Sequence, residues 1–256
     1  MGILNITPDS FYDGGKYKSD ADFLKQTEKM LFEGATFIDV GAASSKPNVI
    51  VISEDEELHR IVPVIDLIIK NFPSTNISID TYRSKIAQIC VEKGAAIIND
   101  ISAGNFDKKM METVAKLRVP YIMMHMKGTP QTMQSLANYE NIFKEMLFYF
   151  SEKLADARAL GIVDIVIDPG FGFAKTIAHN FEILKNLELF QHLDVPILIG
   201  VSRKSMIHKT LNTNSESALN GTTVLNTFAV SKGANILRVH DVREAMECVK
   251  LMEHLQ

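Results

Sequence analysis

Short runs of aliphatic and β-branched residues alternate along this chain with longer segments whose apolar residues recur every three or four positions, which predicts strands separated by helices. Eight such pairs can be drawn. The strands fall at 3–7, 37–41, 77–81, 96–101, 121–126, 163–168, 196–201 and 235–240. The helical spacing is clearest over 141–160, where Phe143, Met146, Leu147, Phe150 and Leu154 form one stripe and Lys144, Glu145 and Lys153 fall elsewhere. A helix drawn over 54–70 contains Pro63, so it is expected to be kinked or to begin later than its acidic start. Eight βα units with no proline- or serine-rich linker between halves predict a single α/β domain over 1–256, closed as a (β/α)8 TIM barrel rather than opened as a doubly wound sheet.

In such a barrel the chemistry stands at the C-terminal ends of the strands, and here those ends are polar. Asn5, Asp39, Asp80, Asn99 with Asp100, His125, Asp168, the Ser202–Arg203–Lys204 run, and Arg238 with His240 follow one another from strand to strand. Any one alone reads equally well as a core polar group or a helix cap. Together they suit a flat heterocycle with donor and acceptor edges, and Arg238 and His240 suggest a separate anion site. The run from Val163 to Phe173 organises the set: an apolar strand expected to be buried on both faces ends at Asp168, and Pro169, Gly170 and Gly172 then turn the chain between Phe171 and Phe173. The helix expected to begin near Ser205 offers free N–H groups to a carboxylate or phosphate.

Composition narrows the partners. With 46% hydrophobic and 23% charged residues and a net charge of −4, the chain is a globular protein without the basic surface that nucleic acid requires. No segment is apolar for long enough to span a membrane. Cys90 and Cys248 are far apart and form no CxxC, so neither a disulfide framework nor a thiolate zinc site is expected, and a reducing cytoplasm is the expected location.

Two loops carry further candidates. The first strand empties into a polar loop with Asn5, Asp9, Gly14 and Gly15, suited to closing over an anion or a hydrated Mg2+, and equally to an ordinary βα connection. The second strand leads into GAASSKPN, 41–48, with Lys46 and Pro47 among small residues.

Taken in order, MGILNITPDSFYDGG, FIDVGAASSKP, SIDTYRSK, IINDISAG, MMHM, DPGFGFAK, GVSRKSMI and ILRVHDV resemble the dihydropteroate synthases, and the resemblance covers essentially the whole chain. It implies a (β/α)8 barrel that joins 6-hydroxymethyl-7,8-dihydropterin diphosphate to 4-aminobenzoate, giving 7,8-dihydropteroate and pyrophosphate, with Mg2+ as the metal. It further implies a sulfonamide target and a homodimer. Residue by residue, it implies that Asp80, Asn99, Asp168 and Lys204 hold the pterin and that Arg238 and His240 grip the diphosphate. Asn5 is the implied Mg2+ ligand, and Ser45, Pro47, Phe173 and Ser205 are the implied border of 4-aminobenzoate. The implied catalytic set is Asp80, Lys204, Arg238 and His240.

The second loop departs from the family's GGESTRPG at Ala42, Ala43, Ser45, Lys46 and Asn48. Lys46 keeps the charge and loses the planar fork of arginine, so weaker binding of 4-aminobenzoate and of sulfonamides is expected. Met1 also stands almost at the first strand where relatives carry additional residues, the pattern of a short form or a truncated chain. Two other classes stay open: a pterin-binding methyltransferase barrel serving a corrinoid protein, which has no use for a diphosphate grip, and a pterin-binding scaffold that has lost condensation.

Overall fold

Six parallel strands lie in chain order in one sheet: β1 (Gly2–Asn5), β2 (Phe37–Gly41), β3 (Asn76–Asp80), β4 (Ile97–Asp100), β5 (Tyr121–Met124) and β6 (Ile165–Asp168). Two short strands, β7 (Leu198–Ile199) and β8 (Ile236–Leu237), pair with each other and bridge both edges of that sheet. Ile167 N–H donates to the Pro196 carbonyl at 3.0 Å, Ile3 N–H to Val239 at 3.0 Å, and Val239 N–H to Met1 at 2.9 Å. The barrel is therefore closed by eight strands. The computed structural model describes residues 1–6, 19–43 and 51–255. Asp9, Gly14, Gly15, Ser45, Lys46, Pro47 and Asn48 lie outside them.

Among the described residues the helices are α1 (Asp20–Phe32), α2 (Glu54–Asn71), α3 (Ser84–Glu92), α4 (Met110–Leu117), α5 (Ile142–Ala159), α6 (Ile177–Lys185), α7 (Ser205–Thr210), α8 (Leu219–Ser231) and α9 (Val242–Glu253). The α5 stripe is as predicted, with Met146, Phe150 and Leu154 buried. The acidic run of α2 is its true first turn: Ser53 Oγ accepts from Glu56 N–H at 3.1 Å, four carboxylates face the positive end of the helix dipole, and the helix continues through Pro63. It does not begin later. β6 corrects another expectation, because it starts at Ile165 and leaves Val163 84% exposed. β7 and β8 are also shorter than predicted, since the Asn235 side-chain oxygen takes the Ile197 N–H at 2.9 Å and replaces a rung of the ladder.

Alternation along the strands splits the barrel interior into two tiers. The lower tier is apolar, with Ile97, Ile122 and Leu198 packed among Phe37, Val166 and Ile236. Two residues further along the same strands stand Asn99, Met124, Gly200, Asp39, Asp168 and Arg238. This second tier forms the floor of the site.

Candidate active site

Asp39 is the centre of one half of the site. It is fully buried, and its carboxylate accepts from Ser78 Oγ at 2.6 Å, Asn99 Nδ2 at 3.1 Å and Arg238 Nε at 2.6 Å. The same guanidinium donates through Nη2 to Asp80 at 2.8 Å. β2, β3, β4 and β8 are thus joined side chain to side chain above the apolar tier. Burial pushes Asp80 up to about 7 against the pull of Arg238, while Asp39 and Asp80 raise the pKa of the guanidinium in spite of its burial. Arg238 is therefore a permanent cation at this mouth.

The second half is the loop after β6. Asp168 Oδ1 accepts from Gly170 N–H at 2.7 Å, and burial raises its pKa while Lys204, this N–H, Arg238 and Lys175 lower it. Lys204 Nζ donates to the Phe171 carbonyl and lies 5.2 Å from the centre of the Phe173 ring. Its burial brings its pKa down to about 8, with Asp168 pulling the other way. Gly170 has φ +71°, and a Cβ there would stand 2.2 Å from the His125 carbonyl oxygen. Gly170→Ala combines that backbone clash with a left-handed conformation, so Tm is expected to fall by about 5–10 °C in thermal denaturation. An unchanged Tm would refute this close approach of β5 and the β6 loop.

His240 and Ser202 complete the described mouth. Ser202 Oγ accepts from His240 N–H at 3.2 Å and meets the ring Nδ1 at 3.0 Å. The hydroxyl can donate to Nδ1 or accept from it, and the ring tautomer follows from which it does. Burial, with Arg238 adding to it, pushes His240 down to about 3, so this histidine is neutral at pH 7 and acts as a hydrogen-bonding group.

Three polar residues at the strand ends are committed elsewhere. Asp100 accepts from the N–H groups of Ser102 and Gly104, each at 2.7 Å, and from Tyr121 Oη at 2.7 Å, which ties off the β4 turn. Arg203 forks onto both oxygens of Asp241 at 2.8 Å and reaches the carbonyls of Ser215 and Glu216. His125 is buried under the β6 loop, edge-on to Tyr149 with ring centres 4.8 Å apart. Ser205 begins α7 as expected and is exposed, and Asn5 ends β1 beside Gly41. Ser45 and Pro47 fall outside the described residues.

Sequence reasoning named Asp39 without giving it a role and gave none to Lys175, although both are built into the site. The usable signal for Asp39 was a carboxylate inside an otherwise apolar strand, in the same inward parity as Arg238. A cavity of about 220 Å³ opens beside Asp80, between Thr81, Tyr82, Ile101, Phe106 and Thr129. Left-handed backbone at Ala103, Ala174 and Arg203 marks the turns after β4, β6 and β7.

Residues 1–240 match the family model described as pterin binding enzyme. The chain belongs to the pterin-binding enzyme family. Within that family it is 41% identical over 255 residues to the dihydropteroate synthase of Escherichia coli (strain K12), covering 99% of this chain and 90% of the relative. It is 39% identical to that of Bacillus subtilis (strain 168), covering 99% and 87%. A solved Yersinia pestis dihydropteroate synthase in complex with a sulfonamide drug superposes with a TM-score of 0.95 at 37% identity, covering 99% of this chain and 92% of that one. The Thermus thermophilus dihydropteroate synthase in complex with 4-aminobenzoate gives 0.89 at 32% identity, covering 100% and 93%.

Proposed function

We propose that this pterin-binding enzyme is a transferase that condenses 6-hydroxymethyl-7,8-dihydropterin diphosphate with 4-aminobenzoate to give 7,8-dihydropteroate and pyrophosphate, a step of folate biosynthesis. The observation that carries this reading is the meeting at one mouth of a permanent cation with a buried carboxylate and a lysine: Arg238, just after β8, for an anion, and Asp168 with Lys204 for a heterocycle. Relatives across the full length are dihydropteroate synthases, which supports the same pairing.

Asp168 faces the amino and N–H edge of the pterin as acceptor, with Asn99 and Lys204 supplying donors. The reaction begins with loss of the leaving group: the methylene C–O bond breaks, and its electron pair departs on pyrophosphate. Arg238 takes up the negative charge, and neutral His240 donates a hydrogen bond. The electron-rich ring carries the cation left at the methylene, and the Asp80 carboxylate stabilises it. The lone pair of the arylamine forms the C–N bond, and its proton leaves afterwards, so no general base is needed before attack. Phe173 and Ser205 border the second substrate, together with Ser45 and Pro47.

The donor chemistry fits Mg2+: Asn5 ends β1 with a side-chain carbonyl oxygen, a hard ligand of the kind that ion takes. Asn5 would hold the ion, which would supply positive charge for the departing pyrophosphate. A homodimer is proposed from the resemblance alone. A reducing cytoplasm is supported by the two buried free cysteines, and no helix among the described residues is long and apolar enough to cross a membrane.

The test is pyrophosphate release from the pterin diphosphate, followed with detection of dihydropteroate, with and without 4-aminobenzoate and with EDTA. Release coupled to dihydropteroate and abolished by EDTA is expected. Pterin binding without release would favour a scaffold, and release without dihydropteroate would place the defect in the second-substrate site.

A further inference from the structure

Beneath the β6 loop lies a charged group that the reaction above does not use. Lys175 is 4% exposed, and its Nζ is surrounded by the carbonyls of Phe173 at 2.9 Å, Gly170 at 3.0 Å and His125 at 3.3 Å, and by His125 Nδ1 at 3.1 Å. All four neighbours accept hydrogen bonds once His125 carries its proton on Nε2. A neutral amine has two N–H groups and a lone pair, and that lone pair would face an acceptor; an ammonium has three donors and none. Burial and the charge of Lys175 both hold His125 well below its ordinary pKa, which keeps the ring neutral and Nδ1 an acceptor.

We infer that Lys175 is a positioning residue for the pterin site: its buried ammonium gathers the backbone of the loop after β6 and so fixes where Asp168, Phe171 and Phe173 present themselves. The inference rests on the functional reading above and adds a residue to it. The carbonyls Lys175 ties down flank the Phe171 carbonyl that receives Lys204, and one of them belongs to Phe173, whose ring lies beside the same lysine. Its charge also acts on Asp168 and favours the ionised acceptor that the pterin requires. The loop is also held by Lys204 Nζ on the Phe171 carbonyl, by Gly170 N–H on Asp168 Oδ1 at 2.7 Å, and by two neutral ties, Gly172 N–H to Asn180 Oδ1 at 2.7 Å and Tyr139 Oη to the Ala174 carbonyl at 2.9 Å. Burial brings Lys175 down to about 7, with Asp168 raising it and Lys204 and Lys127 lowering it, and the four acceptors around Nζ are what favour the ammonium there. No contact of Lys175 with a reacting atom is invoked.

The experiment compares the full chain with K175M and K175Q, using 6-hydroxymethylpterin as calorimetric probe and steady-state kinetics with both substrates. In K175M the pterin Kd and the KM for the pterin diphosphate are expected to rise about 30-fold, while kcat per folded molecule changes less than about threefold. K175Q, with two donors and no charge, should fall between K175M and the parent. A residue that serves stability alone would lower the amount of active protein, hence kcat, and leave Kd and KM where they were; that result overturns the inference. Should K175M fail to fold, K175Q carries the same test, and an unchanged Kd in it is equally decisive. If the parent chain itself binds no pterin, the functional reading fails instead.

Discussion

Asp168→Asn should weaken pterin binding by about 100- to 1000-fold, roughly 3–4 kcal/mol, while the barrel stays folded. The reason is a reversal of polarity at one atom. Asn keeps one carbonyl oxygen, which the Gly170 N–H takes as it takes Oδ1 now at 2.7 Å. The NH2 group that remains points donors at a ring edge made of donors. Lys204 suffers as well, because Asp168 is the attraction that opposes the loss of its charge by burial. Titration calorimetry with a pterin and circular dichroism of the same sample separate the two effects, and a D168N chain that binds like the parent would remove Asp168 from the site.

Asp39→Ala should be the most destabilising change at the mouth, costing about 3–5 kcal/mol and lowering Tm by about 10–15 °C. Removing this carboxylate strands three donors at once: Ser78 Oγ, Asn99 Nδ2 and Arg238 Nε. Among the described residues the guanidinium keeps only Asp80 as an ion-pair partner. Turnover should be lost together with stability, because Arg238 no longer holds its place for the diphosphate. Thermal denaturation checks this, and a Tm within about 2 °C of the parent would show that Asp39 does not anchor Arg238.

How much of this was readable beforehand depended on how local each signal is. β1 to β6 were legible because short apolar runs buried on both faces look alike wherever they occur. β7 and β8 were overdrawn because a side chain, Asn235, replaces backbone pairing there, and nothing in its neighbourhood announces that. Val163 read as strand by propensity and stands 84% exposed because pairing begins only at Ile165. The polar strand ends were visible as a set, and their division of labour was not. Asp100, His125 and Arg203 look as chemical as Asp80, Lys204 and Arg238, and only the fold shows that the first three are spent on Tyr121, Lys175 and Asp241. Asp39 and Lys175 had no visible role because Arg238 and His125, which complete their surroundings, lie 199 and 50 residues away in the chain.

That 199-residue separation between Asp39 and Arg238 sets a clock during synthesis. A ribosome adding about 5–20 residues per second exposes Asp39 some 10–40 s before Arg238 follows it out of the exit tunnel. Through that interval the nascent chain carries a carboxylate whose counter-ion has not been translated, one strand in from the open edge of the sheet. Arg238 and the closing seam of the barrel then arrive together. The nascent chain therefore neutralises that buried carboxylate and closes the barrel in one step.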